Sequence, residues 1–153
     1  MIHLRFESRL AETPERIWAV ASTMAGVNAE LGPWVRMSHP PGRAALDGQD
    51  VPLGEVLFQS WLCAFGVIPF DRHALRLERL YPGVGFDERS ASWMQKLWVH
   101  RRRIEAVEGG ACVSDELEIE PRLPFAAPLV RMIVGALFRH RHRRLRARFG
   151  ALA

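Results

Sequence analysis

The chain has 153 residues, 48% of them hydrophobic and 25% charged, which is typical of one globular domain with its own core and excludes a disordered or fibrous protein. Its formal net charge is +4, but six arginines and no acid lie between residues 139 and 148, and removing those six charges from +4 leaves −2 for the rest. The basic character therefore belongs to the C-terminal end. We treat residues 1–153 as a single domain.

The sequence predicts a cytoplasmic protein. The N-terminal residues alternate in polarity and lack the continuous apolar run of a signal peptide. The most apolar window, residues 51–70, is interrupted by Glu55, Gln59 and two prolines, so no transmembrane segment is expected there. The two cysteines, Cys63 and Cys112, lack the spacing of metal ligands, which favours reduced, buried thiols.

The first third of the chain predicts one strand followed by two short helices. Residues 2–10 alternate between apolar and polar side chains, which indicates a strand with one buried face. Thr13-Pro14-Glu15 combines a capping side chain, a proline at the first helical position and an acid near the helix N-terminus. We expect that helix to end at Gly26. The elements expected next are a second helix over Val27–Leu31, a short strand over Trp34–Ser38 and a loop to about Pro52.

Residues 53–68 are ambiguous, because their apolar side chains fall on both faces and fit a buried strand or a buried helix. A strand is favoured, since Pro69-Phe70-Asp71 can turn the chain into a further strand over His73–Tyr81. Leu75 and Leu77 would share one face of that strand.

The stretch from Gly85 to Glu120 predicts three antiparallel strands joined by tight turns, over residues 85–92, 96–107 and 111–120. A short loop at residues 93–95 would place Glu88 opposite His100, and Ser90 opposite Trp98. The Gly109-Gly110 pair is a hairpin signal that would place Ile104 opposite Asp115. Both registers put the same side chains on one face. These are Glu88, Trp98, His100, Arg102 and Asp115, together with Phe86, Ile104, Leu117 and Ile119.

From Pro124 to Phe149 the apolar period becomes helical. The buried stripe of this C-terminal helix is expected to contain Leu129, Met132, Ile133, Ala136, Leu137, His140 and Leu145. The whole order of elements predicts an α+β domain, in which a curved antiparallel sheet grips the last helix and leaves a space beneath it.

This order of elements resembles the START-like SRPBCC superfamily over residues 2–149. The resemblance is carried by Gly85-Phe86-Asp87-Glu88, Trp98-Val99-His100, Asp115-Glu-Leu-Glu-Ile-Glu-Pro121 and Leu137-Phe138-Arg139-His140-Arg141. The superfamily includes birch-pollen-allergen-like proteins, lipid-transfer START domains and polyketide cyclases, and the bacterial cyclase/dehydrase-like members are the most similar. The resemblance implies a helix-grip fold of six to seven strands around an apolar cavity that holds a lipid, a polyketide or a similar hydrophobic molecule.

Four ionisable residues, Glu88, His100, Arg102 and Asp115, are candidates for the polar part of such a cavity. His100 could transfer a proton near neutral pH, with Asp115 or Glu88 orienting its ring. Arg102 could bind a ligand carboxylate or enolate. The same four residues also fit a set of paired charges that satisfy one another inside the sheet, and the sequence leaves both interpretations open.

The candidate apolar lining of the cavity consists of Trp61, Phe86, Trp98, Leu117, Ile133 and Leu137. Large aromatic side chains supply much of the apolar area in such a wall. Plain core packing explains the same residues, and the pattern does not separate the two.

Three functions follow from these features. The first is binding of a hydrophobic small molecule, the second is a cyclase- or dehydratase-type reaction with unknown catalytic residues, and the third is binding of an anionic membrane or nucleic acid by the arginine-rich helix. The arginines also fit a purely structural role, because cations at a helix C-terminus stabilise it by ~0.3–1 kcal/mol each. No nucleic-acid module is present. Phosphate-loop, dinucleotide, G-x-S-x-G and C-x-x-C motifs are absent, so no cofactor or metal is expected.

Overall fold

The computed structural model of the chain describes residues 1–48 and 50–152. Within them, seven strands form one antiparallel sheet in the spatial order β1-β7-β6-β5-β4-β3-β2. The strands are β1 (Ile2–Leu10), β2 (Val35–Met37), β3 (Val56–Ala64), β4 (Ile68–Tyr81), β5 (Gly85–Ser92), β6 (Gln95–Val107) and β7 (Gly110–Pro121). The helices are α1 (Pro14–Ala21), α2 (Met24–Leu31) and α3 (Ala127–Phe149). The predicted α+β helix-grip architecture is confirmed.

The first two helices begin as capping chemistry dictates, but their boundary differs from the prediction. Thr13 Oγ1 accepts the amide of Arg16 at 3.4 Å, and Thr23 Oγ1 accepts the amide of Gly26 at 3.0 Å. Thr23 therefore starts α2 at Met24, so the first helix ends at Ala21 and not at Gly26. Gly26 is needed for packing instead, because a Cβ atom there would lie 1.9 Å from the carbonyl oxygen of Val20.

The ambiguous residues 53–68 contain the strand β3, which excludes the helical alternative. The predicted turn at Pro69-Phe70-Asp71 is wrong, because the chain turns at Phe65-Gly66-Val67 and β4 already begins at Ile68. Phe65 and Gly66 have positive φ values of 54° and 77°. Pro69 is tolerated in β4 because β5 pairs with β4 only as far as His73, so this end of the strand has one neighbour.

The two hairpins after β4 keep the predicted faces but not every predicted register. Glu88 lies opposite His100 and Ser90 opposite Trp98, as expected. The second turn is formed by Glu108 and Gly109, whose φ is +86°, while Gly110 pairs with Val107. Ile104 therefore lies opposite Val113, and Arg102 lies opposite Asp115. Because the shift is two residues, every side chain stays on its expected face.

The long helix α3 buries Leu145 as predicted, but the rest of its buried stripe differs from the prediction. Leu129, Met132 and Ile133 are more than half exposed. The buried residues are Val134, Gly135, Phe138, Arg141, His142 and Leu145. Val134 and Phe138 pack on Ile2, Leu117 and Ile119 of the sheet, whereas Leu145 joins a separate core formed with α1. The predicted stripe followed the apolar side chains and omitted Arg141 and His142, which are buried because Glu30 and Asp115 pair with them.

Both cysteines are free and half-buried, which corrects the expectation of fully buried thiols. Among the described helices, none combines the length and the apolar character that a membrane span requires.

Candidate functional site

A cavity of about 290 Å³ lies between the sheet and α3. Its walls are mainly apolar and come from β2 to β6, α2 and α3, with Leu75, Leu77, Phe86, Trp98 and Leu137 among the lining residues. The mouth is marked by three lining residues that stay partly exposed, namely Phe70 at 43%, Met94 at 48% and Ile133 at 55%. An apolar space with a few polar groups is the usual architecture of a small-molecule site.

A second depression, of about 350 Å³, lies between α1, α2 and the last turns of α3, where Arg144, Arg148 and Phe149 flank it. It is a cleft between helix surfaces and has no sheet wall. Glu30 is the one side chain in it that belongs to the polar network described below. The space beneath α3 is therefore the stronger candidate for a ligand site.

The polar part of the cavity wall is centred on Glu88. Its Oε2 accepts hydrogen bonds from His73 Nε2 at 2.6 Å and from Ser90 Oγ at 2.6 Å. Its Oε1 lies 3.7 Å from Nδ1 of His100. All four side chains are buried. They come from three adjacent strands, because β5 pairs with β4, which carries His73, on one side and with β6, where His100 lies opposite Glu88, on the other. Two histidines thus flank one carboxylate at the centre of the sheet.

Asp115 lies one strand further along the sheet and continues the network. Its Oδ1 accepts from His100 Nε2 at 2.7 Å and from Arg102 Nε at 2.8 Å. Its Oδ2 accepts from Arg102 Nη2 at 2.8 Å and from His142 Nε2 at 2.8 Å. The carboxylate is fully buried, so β6, β7 and α3 are joined at one point. His142 Nδ1 in turn lies 2.7 Å from Ser8 Oγ on β1.

Arg102 connects this carboxylate to α2. Its Nη1 and Nη2 donate to the two oxygens of Glu30 at 2.9 and 2.8 Å. Glu30 Oε1 also accepts from Arg141 Nε on α3 at 3.2 Å. The Arg102 side chain is therefore held by two carboxylates in bidentate geometry, the strongest arrangement for this pair of groups. It is 1% exposed.

Three buried carboxyl groups have lowered pKa values. Burial opposes ionisation of Glu30, Glu88 and Asp115, yet nearby cations and N–H donors outweigh it. Arg102 and Arg141 lower the pKa of Glu30. The contacts with His100 and His73 lower the pKa of Glu88. Arg102 and His100 hold the pKa of Asp115 well below its usual range. Burial opposes the charge of Arg102 too, but Asp115 and Glu30 raise its pKa well above normal. The three carboxyl groups and Arg102 are therefore ionised at neutral pH.

The structure separates the sequence-predicted site residues into four groups. Six line the cavity: Phe86, Glu88, Trp98, His100, Ile133 and Leu137. Arg102 and Asp115 lie beneath its wall as paired charges, and Leu117 belongs to the core under α3. Trp61 is not a lining residue, because its strand neighbour Leu62 points to the cavity. The ring of Trp61 contacts Trp93 at 5.1 Å and lies 4.5 Å from the guanidinium carbon of Arg72.

Sequence reasoning missed five residues of the site. His73 could have been found, because it lies at even spacing from Leu75 and Leu77 on the same strand face. Gln95 was assigned to a loop, but it begins β6 and lines the cavity. No local pattern in the sequence indicates that Glu30, Arg141 and His142 are buried. Their burial depends on partners that are distant in sequence, and the smallest separation, between Asp115 and His142, is 27 positions.

The arginine-rich end of α3 is also only partly a surface feature. Arg141 is buried against Glu30, and Arg146 donates to Ser8 Oγ at 2.8 Å. The exposed arginines of the run are Arg139, Arg143, Arg144 and Arg148. Arg144 donates to the carbonyl of Ala29 at 3.0 Å, which fixes the helix end to α2.

Comparison with known proteins identifies the family and the fold. Residues 8–149 match the family described as "Domain of unknown function (DUF8410)", and the chain belongs to that family. None of the curated proteins matches it.

Solved structures with the same fold are numerous but distant in sequence. Protein CV1439 from Chromobacterium violaceum is 15% identical over 98% of both chains, with a TM-score of 0.72. A START superfamily protein from Mycobacterium smegmatis is 14% identical over 97% of this chain and 95% of that one, with a TM-score of 0.64. DynU16, a protein of the dynemicin biosynthetic locus, is 9% identical over 97% of this chain and 48% of its own, with a TM-score of 0.57. These similarities confirm the START-like helix-grip fold.

The buried pairing of Arg102 predicts a large stability effect. We expect Arg102→Met to lower the free energy of unfolding by about 3–5 kcal/mol, because it leaves Asp115 and Glu30 without their shared cation. Arg102→Lys restores little, since an ammonium cannot bind both carboxylates in bidentate geometry. The matched control is Arg101→Met on the opposite face, where Nη2 lies 3.4 Å from Glu118 and the side chain is 38% exposed; its expected cost is below about 1 kcal/mol. Urea denaturation measures all three, and equal losses at the two positions would refute the assignment.

The lowered carboxyl pKa values predict sensitivity to acid. Ionised Glu88 stabilises the fold above the ordinary carboxyl pKa of about 4, and this contribution is lost as the pH falls through the lowered folded-state pKa. Below pH 4 the unfolding free energy of the wild type should therefore fall more steeply than that of Glu88→Gln, by up to about 1.4 kcal/mol per pH unit. Denaturation curves from pH 7 to pH 3 test this, and parallel curves would contradict it.

Proposed function

We propose that this chain, a member of the DUF8410 family, binds a hydrophobic small molecule in the cavity between the sheet and α3. The observation that carries the proposal is the apolar cavity itself, whose mouth is lined by Phe70, Met94 and Ile133. Exposed apolar side chains at an opening are stabilised when a ligand covers them. The START superfamily fold of its structural neighbours supports the same function.

The dimensions of the cavity favour a compact ligand. Its volume of about 290 Å³ is near the lower end of the ~300–1,000 Å³ that is typical of small-molecule sites. A molecule of one to three rings or a short acyl chain matches this space better than a complete membrane lipid does. Phe86, Trp98 and Phe138 supply ring edges and faces around it, which favours a flat or aromatic ligand.

Filling the cavity tests this function. We expect Leu137→Trp, which places a larger side chain in the wall, to weaken binding of the uncharged dye N-phenyl-1-naphthylamine at least about tenfold, or ~1.4 kcal/mol. Ala136→Trp adds the same side chain one position away, at an exposed site outside the cavity lining, and should bind like the wild type.

Fluorescence titration of the dye measures both variants, and native mass spectrometry of the purified wild type tests for a ligand that co-purifies. Dye binding that does not saturate, together with the absence of any co-purified molecule, would end the proposal. Equal affinity of the two tryptophan variants would place the dye elsewhere and count against this cavity.

A second candidate function, a cyclase- or dehydratase-type reaction, is favoured by one specific contact. His73 donates Nε2–H to Glu88 at 2.6 Å and lines the cavity. A carboxylate that fixes the tautomer of a histidine leaves the other ring nitrogen as a base. His100 is less suited to this role, because Nε2 binds Asp115 and Nδ1 faces Glu88.

Proton abstraction can be tested with a simple ketone. In D₂O, Nδ1 of His73 would remove a proton from the carbon next to the carbonyl of 4-phenyl-2-butanone. The imidazolium would exchange this proton for a deuteron from the solvent and return the deuteron to the enolate carbon. We expect exchange above the buffer rate, its loss in His73→Gln with dye binding retained, and no change in His3→Gln, whose side chain is 65% exposed on β1. Proton NMR follows the exchange, and equal rates in His73→Gln and the wild type would exclude the reaction.

A further inference from the structure

The mouth of the cavity is surrounded by a rim of four chain segments, residues 34–37, 65–70, 93–95 and 122–140. Each segment contributes at least one lining residue of the cavity. The amide of Phe65 donates to the carbonyl of Trp34 at 2.8 Å, and the amide of Arg122 donates to the carbonyl of Met94 at 3.1 Å. The Trp34 ring also lies 6.3 Å from the ring of His140 on α3. The rim is therefore one surface around the opening, and it includes the N-terminal half of α3.

Most of the exposed apolar side chains of the protein belong to this rim. Of the sixteen large apolar side chains that are exposed among the described residues, twelve lie in it. Val67 is 76% exposed and Phe125 is 81% exposed, and neither lines the cavity. A ligand that fills about 290 Å³ can cover the residues at the opening but not these two. An apolar surface of this extent marks a site where a larger partner binds.

The turn between β3 and β4 projects from the rest of the sheet. Its strand β4 begins at Ile68, but the pairing of β4 with β5 reaches only to His73, so the turn extends past the end of β5. Phe65 has a φ of 54°, a conformation that Gly or Asn adopts at lower cost than a bulky residue does. Folding in water therefore favours a small or polar residue here. Phe65, Val67 and Ile68 are instead apolar and more than half exposed, and their burial in an apolar phase is favourable.

The rim carries positive charge and no acid. Its four segments contain four exposed arginines and no Asp or Glu, the arginines being Arg36, Arg122, Arg131 and Arg139. The acids that flank the segments in sequence are either buried, as Glu30 and Asp71 are, or paired, as Glu120 is with Lys96 at 3.8 Å. The rim is therefore complementary to a negatively charged partner. A second copy of the chain would place arginines against arginines, which is unfavourable.

We propose that the rim is a docking surface for an anionic phospholipid bilayer. The β3–β4 turn and the exposed ridge of α3 at Leu129 and Met132 enter the interfacial region, and Trp34 and Trp93 lie at the level of the headgroups. The arginines bind lipid phosphates, and each strengthens binding about fivefold. This orientation brings the mouth of the cavity to the bilayer. The inference goes beyond the proposed function, because docking does not require a ligand in the cavity.

Co-sedimentation of the full chain with vesicles tests the docking surface. Wild-type protein should bind vesicles of equal parts of phosphatidylcholine and phosphatidylglycerol at least about tenfold more tightly than vesicles of phosphatidylcholine alone. Val67→Asp places a charge in the interface and should weaken binding to the anionic vesicles at least about tenfold. The matched control is Val84→Asp, at an exposed valine beyond the other end of β4, which should bind nearly as well as the wild type. Both variants change the net charge equally, so only the position differs.

Two further measurements separate docking from general attraction between charges. Arg139→Gln should weaken binding about fivefold, whereas Arg148→Gln, in the last turn of α3 outside the rim, should leave it unchanged. Vesicles whose acyl chains carry bromine should quench the tryptophan fluorescence of the wild type, because Trp34 and Trp93 lie in the interface. Urea denaturation with midpoints equal to that of the wild type shows that the variants are folded.

Three results would overturn the assignment. The first is the absence of binding to the anionic vesicles, and the second is equal binding by Val67→Asp and Val84→Asp or equal losses at Arg139 and Arg148. The third is dimerisation of the lipid-free wild type that Val67→Asp abolishes, since it would assign the rim to a second copy of the chain. None of these results affects the proposed function of the cavity, which dye titration in solution tests separately.

Discussion

The double pairing of Arg102 is the interaction on which the rest of the structure depends. One guanidinium is bound by Asp115 on β7 and by Glu30 on α2, and each carboxylate also binds a residue of α3. Taking a guanidinium and two carboxylates out of water is costly, and only such complete pairing compensates for it. Because the pairing needs α2, α3 and the sheet together, none of its members is satisfied until the domain has assembled. The network therefore specifies where both helices lie on the sheet.

The same network explains why a space remains under α3. The C-terminal half of the helix is held close to the sheet by polar contacts at Arg141 and His142 and by the apolar contact of Leu145. In the N-terminal half, Val134 and Phe138 contact β1 and β7 at one side of the sheet. The side facing β4 and β5 is not filled by α3, and there Ile133 and Leu137 border the cavity. A helix fixed along one edge and free along the other leaves a cleft that a ligand can occupy.

The sequence predicted those features that depend on interactions between residues close together in the chain. Local alternation and capping predicted the strands, the C-terminal helix and the pairing of Glu88 with His100. Long-range pairing determined the rest: Glu30 is polar and helical, yet buried, because Arg102 lies 72 positions away in sequence. The stripe of α3 was misplaced for the same reason, since Arg141 and His142 look like surface residues until their partners are known. Gln95 depended on a bulge, which no periodic pattern reveals.

The buried charges of the network and the buried amide of Gln95 differ in how completely they are paired. Glu30, Glu88, Asp115 and Arg102 each have two or more polar partners, so the buried charges of this network are all paired. Against that background, Oε1 of Gln95 is an exception, because it is buried and has no hydrogen-bond partner among the described residues. Packing does not require an amide there, because an apolar side chain of equal length would fill the same space without the cost of a buried acceptor. The amide of Gln95 therefore contributes less to stability than the charges of the network do, each of which is paired where it is buried.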